Sequence, residues 1–270
     1  MPENNKRIII WCGSAANQKA LANKIAKQFN VVGIVVDTHF GTGRKQKKTS
    51  LVKRVVDRIR FAPIYNAWKR LMRIYDSQFA LWPDVPTIKV NSINESTTEK
   101  FSKELKPDLI IVSGTTLIKE PLVCLPISVG IMNLHTGLSP YVKGGPNCTN
   151  WCIANGDFHL VGNTIMWLNV GIDSGNIITT DTIDIRNAKS LDEAHYMVME
   201  HAHDLYVKSI EYIMTNNYPY QSVAQTSIAN GSLYLTKMWT TEKKLSLLRN
   251  WKKRNAYTSG MIPKTIPLPK

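Results

Sequence analysis

The sequence predicts an α/β fold, a mostly parallel sheet with helices on both faces. Three observations predict it. Short apolar runs rich in Ile and Val recur along the chain, at Arg7–Trp11, Val31–Val36 and Leu109–Ser113. Segments of helical period separate them. The runs are continuous rather than alternating, as expected of strands buried on both faces.

Arg7–Trp11 is the first strand, and Gly13-Ser14 ends it. Asn17–Gln28 carries Leu21, Ala22, Ile25 and Ala26 on one face and is a helix. Val31–Val36 follows as a strand, which completes a βαβ unit and a parallel pair. The polar stretch from His39 to Ser50 is a loop, and Leu51–Phe79 is helical with an interruption at Pro63. Ser96-Thr97-Thr98-Glu99 fits a capping box for a helix running to about Leu105. Leu109–Ser113 and Val129–Leu134 are strands, and Thr149–Ala154 is a short helix stopped by Asn155-Gly156. Asn163–Leu168 and Asn176–Ile185 are strands, and Leu191–Met214 is a long amphipathic helix. A strand at Ser232–Leu235, a basic helix at Thr241–Asn255 and a proline-bearing tail close the chain. The result is a Rossmann-like catalytic domain over residues 1–215 and a C-terminal extension over 216–270, with a dimer contact as one role for the extension.

Bulk properties narrow the class. The 270 residues are 43% hydrophobic, which excludes wholesale disorder. No apolar run approaches a membrane span or a secretory signal, so a cytoplasmic protein is expected. The four cysteines, Cys12, Cys124, Cys148 and Cys152, include no Cys-x-x-Cys pair and read as buried hydrophobes. The net charge is +14, and residues 44–73 hold eleven Lys or Arg against one acid, Asp57. A second basic cluster spans Lys243 to Arg254. Such runs are either solvated faces or attract RNA, an acidic membrane surface or a phosphorylated substrate. A non-catalytic RNA-binding protein is therefore the alternative of a different class.

Ligands of such sheets sit beyond the carboxyl ends of the strands. There lie Asn133 and His135, two residues apart, which on a strand point to one face. Asp173 follows between Gly171 and Gly175 in a loop before a strand. An amide donor, an imidazole and a carboxylate to orient it are parts that acyl transfer to an amine requires. Spacing alone does not decide this: a lone histidine near a strand end is usually structural, and Asp-Ser-Gly is a common turn. No Gly-x-Ser-x-Gly or His-Glu-x-x-His motif supports a serine hydrolase or zinc protease. His195, His201 and His203 share a helix at spacings that form no metal face.

The segments NLHTGLSPYVKGG, from Asn133, and NVGIDSGNII, from Asn169, resemble the paired signatures of the folate-dependent formyltransferases. The resemblance runs from about Ile88 to Ile185. It implies a formyl donor, 10-formyltetrahydrofolate, and no metal. Asn133 would hold the formyl oxygen, His135 would move the proton and Asp173 would orient His135. Ser113, Gly114, Thr115, Leu117 and Ile118, with Val170, Gly171 and Ile172, would line the folate pocket. Gly13, Ser14, Tyr141, Lys143 and Gly144 would meet the acceptor. Ser139 and Lys143 depart from the usual leucine and arginine of the first signature, and Lys143 forgoes bidentate geometry. The partial phosphate loop Cys12–Asn17 counts against a purine precursor, and the short stretch after the long helix counts against a tRNA enzyme. The resemblance then favours a nucleotide-sugar N-formyltransferase, acting on a nucleotide-linked 4-amino or 3-amino deoxysugar such as that of GDP-perosamine, destined for O-antigen lipopolysaccharide. Tyr65, Trp68, Tyr141 or Trp151 could stack on the base or sugar. Methionyl-tRNA and glycinamide ribonucleotide are the alternative acceptors.

Overall fold

In the computed structural model, which describes residues 6–39, 50–145, 147–257 and 262–269, seven strands form one sheet in the order β3-β2-β1-β4-β5-β7-β8. These are β1 (Ile8–Gly13), β2 (Val31–Asp37), β3 (Thr87–Val90), β4 (Leu109–Ser113), β5 (Gly130–His135), β7 (Gly162–Trp167) and β8 (Ile177–Thr182). Strands β1 to β5 run parallel, whereas β7 and β8 are antiparallel to their neighbours. A second, two-stranded parallel sheet joins β6 (Val142–Gly144) to β9 (Ser232–Tyr234). The loop expected at His39–Ser50 lies mostly outside the described residues.

The continuous apolar runs follow from burial on both faces. Ile8, Ile10 and Cys12 pack with Leu21 and Ile25 of α1 (Ala16–Ala26) and with Tyr206 and Ile210 of α6 (Leu191–Thr215). Ile9 and Trp11 face the other side, against Phe101 and Leu105 of α4 (Ser96–Leu105). Each such side chain removed from water contributes about 1.5–3 kcal/mol. Tyr206 also fastens α6 to the sheet. Its hydroxyl donates to Met132 O at 2.8 Å and accepts from Val112 N at 3.0 Å, one residue before Asn133 and Ser113.

Several boundaries bear on the sequence expectation. The interruption expected at Pro63 is present: 51–79 forms two helices, α2 (Leu51–Arg60) and α3 (Ala62–Gln78), with the break just before Pro63, which sits in the first turn of the second. The apolar members split accordingly: Ile64, Leu71 and Tyr75 of α3 are buried, while Val55, Val56 and Ile59 of α2 are exposed. The capping box at Ser96 does not form. Glu95 is the N-cap, and its carboxylate turns back to accept from Asn91 N and Ser92 N. The last helix, α7 (Thr241–Lys252), packs on α5 (Cys148–Asn155); Lys244 pairs with Asp57 at 2.9 Å and Arg70 with Asp192 at 2.8 Å, so part of both basic clusters is neutralised internally. Along the outer edge of β8, Thr180 N donates to Ile266 O and Ile266 N donates to Thr180 Oγ1, both at 2.8 Å. Among the described residues no helix is long and apolar enough to cross a membrane.

Candidate active site

Strand alternation places Asn133 and His135 on the face of β5 that holds Ile131, shared with Ile118 and Leu168. Beyond His135 the chain turns through Gly137 to Pro140. Thr164 of β7 pins that turn, donating to Gly137 O at 2.7 Å and accepting from Ser139 N at 2.8 Å. The turn delivers β6 back over the histidine.

His135 is buried with an acceptor at each ring nitrogen. Nε2 lies 3.1 Å from Val142 O, and Nδ1 lies 3.4 Å from Asp173 Oδ2. A neutral ring carries one N–H, so this arrangement suits the imidazolium. Burial opposes the charge, but the Asp173 carboxylate, followed by the Cys148 sulfur and the Val142 carbonyl, overrides it and pushes the pKa up to about 10. Cys148 Sγ is 3.6 Å from Nε2, and burial raises its thiol, which keeps it protonated beside the ring.

Asp173 Oδ2 also accepts from Gly144 N at 2.8 Å. Its backbone has φ +46°, a left-handed conformation that costs a non-glycine residue about 1–3 kcal/mol. Gly144 itself has φ +87°, and a β-carbon there would meet the Tyr234 carbonyl. Gly144→Ala should therefore lower the melting midpoint by about 2–8 °C, from ~1–2 kcal/mol of backbone cost and about 2–4 °C per kcal/mol. A calorimetric scan checks this.

The expected folate-side residues occupy two loops bordering the same apolar cluster. Ser113 ends β4, and Gly114 follows at φ +64°. Thr115 stands next to it. Thr116 is held by buried Asp37, whose Oδ2 accepts from its N at 3.0 Å and its Oγ1 at 2.7 Å. Asn94 fastens the far end, donating to Leu117 O and accepting from Lys119 N. Ile118 is buried, yet Leu117 is 51% exposed, as are Val170 at 57% and Ile172 at 40% in the Asp173 loop beside Gly171. Those three apolar side chains face solvent on either side of the pair.

The acceptor-side residues are less concentrated. Lys143 and Gly144 adjoin the pair on β6, where Gly144 N donates to Asp173. Gly13 and Ser14 lie two strands away at the end of β1, outside the His135–Asp173 hydrogen bonds. The Tyr141 hydroxyl accepts from Lys264 N at 2.9 Å, in the tail. Trp151 is buried and stacks on Tyr234 at 4.6 Å, and the Tyr65 ring is already met by Arg58 at 5.3 Å and Lys244 at 5.4 Å. A cleft lined by Phe158, His159, Asp184, Arg186 and Tyr257 lies apart from these residues. His195 and His203 are buried and pushed down to about 4 and about 3 by burial, as packing residues.

Three contributors escaped the sequence reading. Asp37 carried a signal, a charge closing an apolar strand. Cys148 read only as a small hydrophobe. Gln225, whose Nε2 donates to Asp173 O and Gly175 O, each at 2.8 Å, gave no signal.

Known proteins resemble this chain in sequence and in fold. A methionyl-tRNA formyltransferase of Clostridium beijerinckii is 44% identical over 111 residues, 40% of this chain and 35% of that protein. The matched part thus spans about a third of the relative's length. The phosphoribosylglycinamide formyltransferase of Bacillus halodurans superposes with a TM-score of 0.53 at 18% identity, covering 80% of this chain and 100% of that one. WlaRD, a sugar 3N-formyl transferase solved with dTDP and 5-N-formyl-THF, gives 0.52 at 16% identity, covering 92% and 79%. These two likenesses establish the fold. The Formyl transferase family profile matches residues 6–210, three quarters of the sequence, and the chain belongs to that family.

Proposed function

We propose that this chain moves a formyl group from 10-formyltetrahydrofolate to the primary amine of a nucleotide-diphosphate-linked amino deoxysugar. The observation that carries formyl transfer is the His135–Asp173 pair, closed by Gly144 N, at the carboxyl end of β5. The chain's residues fit a reduced folate. Leu117, Val170 and Ile172 offer exposed apolar surface for a flat ring, on loops that Asp37 and Gln225 hold in place. When bound, the folate supplies an electrophilic formyl carbon.

The protein's own groups then have distinct roles. His135 enters charged, so it acts first as a donor: its Nε2–H exchanges the Val142 carbonyl for the oxygen on which negative charge grows, while Nδ1 stays on Asp173. Asp173 keeps that charge on the ring. Asn133, on the same face, supplies a neutral amide donor of a kind worth about 10²–10³-fold in turnover. Lys143, a cation beside the pair, would hold the acceptor's phosphate, with Gly13 and Ser14 farther along the strand ends.

The acceptor reading is supported by the cation at Lys143 and by the sugar 3N-formyl transferase among proteins of this fold. A second acceptor, methionyl-tRNA, is favoured by the 44% identity to the Clostridium beijerinckii enzyme. Incubation with 10-formyltetrahydrofolate and a panel of amino-sugar nucleotides, GDP-perosamine among them, with methionyl-tRNA in parallel, separates the two. Mass spectrometry should show one added formyl on a sugar nucleotide and none on methionyl-tRNA. The reverse result would overturn the sugar reading.

A further inference from the structure

The segment after α6 reaches the reacting pair from two sides. On one side, Val223 and Ile177 form an antiparallel bridge with both N–H···O contacts at 2.8 Å. Two residues on, the Gln225 amide spans the Asp173 turn by donating to the carbonyls of Asp173 and Gly175. On the other side, β9 pairs with β6 in the register Val142↔Ser232, Lys143↔Leu233 and Gly144↔Tyr234. Gly145 N adds a bond to Tyr234 O at 2.9 Å, and Ser232 N one to Tyr141 O at 3.0 Å. Strand β6 supplies both backbone groups that touch the pair, Val142 O on His135 and Gly144 N on Asp173.

We propose that Gln225 is a positioning residue for the reaction, and that residues 222–234 are a working part of the active site. The inference rests on the reading of His135 and Asp173 as the reacting pair. Asp173 adopts a backbone conformation that a side chain disfavours, and such conformations persist only where their surroundings over-determine them. Gln225 provides that determination, with one N–H for each carbonyl of the turn. It is only 8% exposed, so water does not replace it, and its Oε1 is buried without a partner. An apolar side chain would fill the same space without leaving that oxygen unpaired, so packing alone does not account for the amide. With the turn loosened, the carboxylate drifts from the imidazole, and a misplacement near 1 Å costs on the order of 10²-fold.

The test is Gln225→Met, which keeps the volume beside Met166 and removes both donors. Gln225→Glu, which keeps the shape but carries no N–H, is the second variant. The titratable groups facing the His135 ring are Asp173 and Cys148, so its titration followed by NMR reports their placement. In folded Gln225→Met the His135 titration should move down by about one unit or more toward the ordinary value near 6.5; Gln225→Glu, whose own carboxylate would hold the titration up, is read by turnover alone. Turnover should fall about tenfold or more with the acceptor KM nearly constant. Wild-type titration and turnover in a folded variant would overturn the proposal. Asp173→Asn is the reference: if it changes neither quantity, the reading of the pair fails, whatever Gln225 does. Should both Gln225 variants unfold, amide exchange in the wild-type protein decides. The Gly144 and Val223 amides should open together, and a Gly144 amide that stays protected while 222–234 opens would refute the inference.

Discussion

His135→Ala should lower turnover by about 10²–10⁴-fold, the span expected when a positioned proton donor is removed. The fold should survive. The ring sits at the end of β5, where its contacts are the Val142 carbonyl, the Cys148 sulfur and Asp173 rather than the packed centre of the sheet. Without it, Asp173 keeps its bond from Gly144 N and its backbone bond from Gln225. Stability should therefore drop by about 1–3 kcal/mol, the cost of unpairing a buried polar group. Initial rates with formyl donor and acceptor, alongside far-UV circular dichroism, check both halves. Wild-type turnover in the variant would remove His135 from the mechanism.

Asp173→Asn should be nearly as damaging, for a different reason. Asparagine tolerates the left-handed backbone and can still accept from Gly144 N, so the turn is retained. What disappears is the charge that raises His135. Burial is then opposed only by the Cys148 sulfur and the Val142 carbonyl, so the imidazole pKa falls and less of the ring is charged at pH 7. Turnover should fall, and the residual rate should rise as the pH is lowered. The same change has a stability signature. A histidine whose folded pKa is raised stabilises the fold fully below its unfolded value near 6.5, and that contribution is lost as the pH rises toward about 10. The melting gap between the wild type and Asp173→Asn should be widest below about pH 6.5 and close toward pH 10. A constant gap across that range would show that the carboxylate does not act through the imidazole.

The parts of this site legible in the sequence are those whose local pattern carries the information. Ile8–Ile10 and Val31–Val36 announce buried strands because both faces must be apolar. Asn133 and His135 share a face because strand periodicity requires it. Asp173 is marked by its flanking glycines. Strands β3 and β6 were not legible, since Thr87–Val90 and Val142–Gly144 are short and become strands only through their partners. Cys148 looked bland because the neighbour that gives it a role is thirteen positions away. Gln225 lies 52 positions from Asp173, and its effect comes wholly from tertiary placement. The expected stacking role of Trp151 gave way to its packing against Tyr234, because a large ring gains more from a closed interior than from an open rim.

The run over β8 has a consequence for how the molecule meets copies of itself. An uncovered outer strand offers a ladder on which another chain can add. Here Ile266 occupies the ladder at Thr180, and Pro263 and Pro267 on either side of it have no N–H to extend the pairing. The sheet is thereby sealed on that flank by its own chain, and growth into a fibre-like stack is blocked where the strand would otherwise invite it.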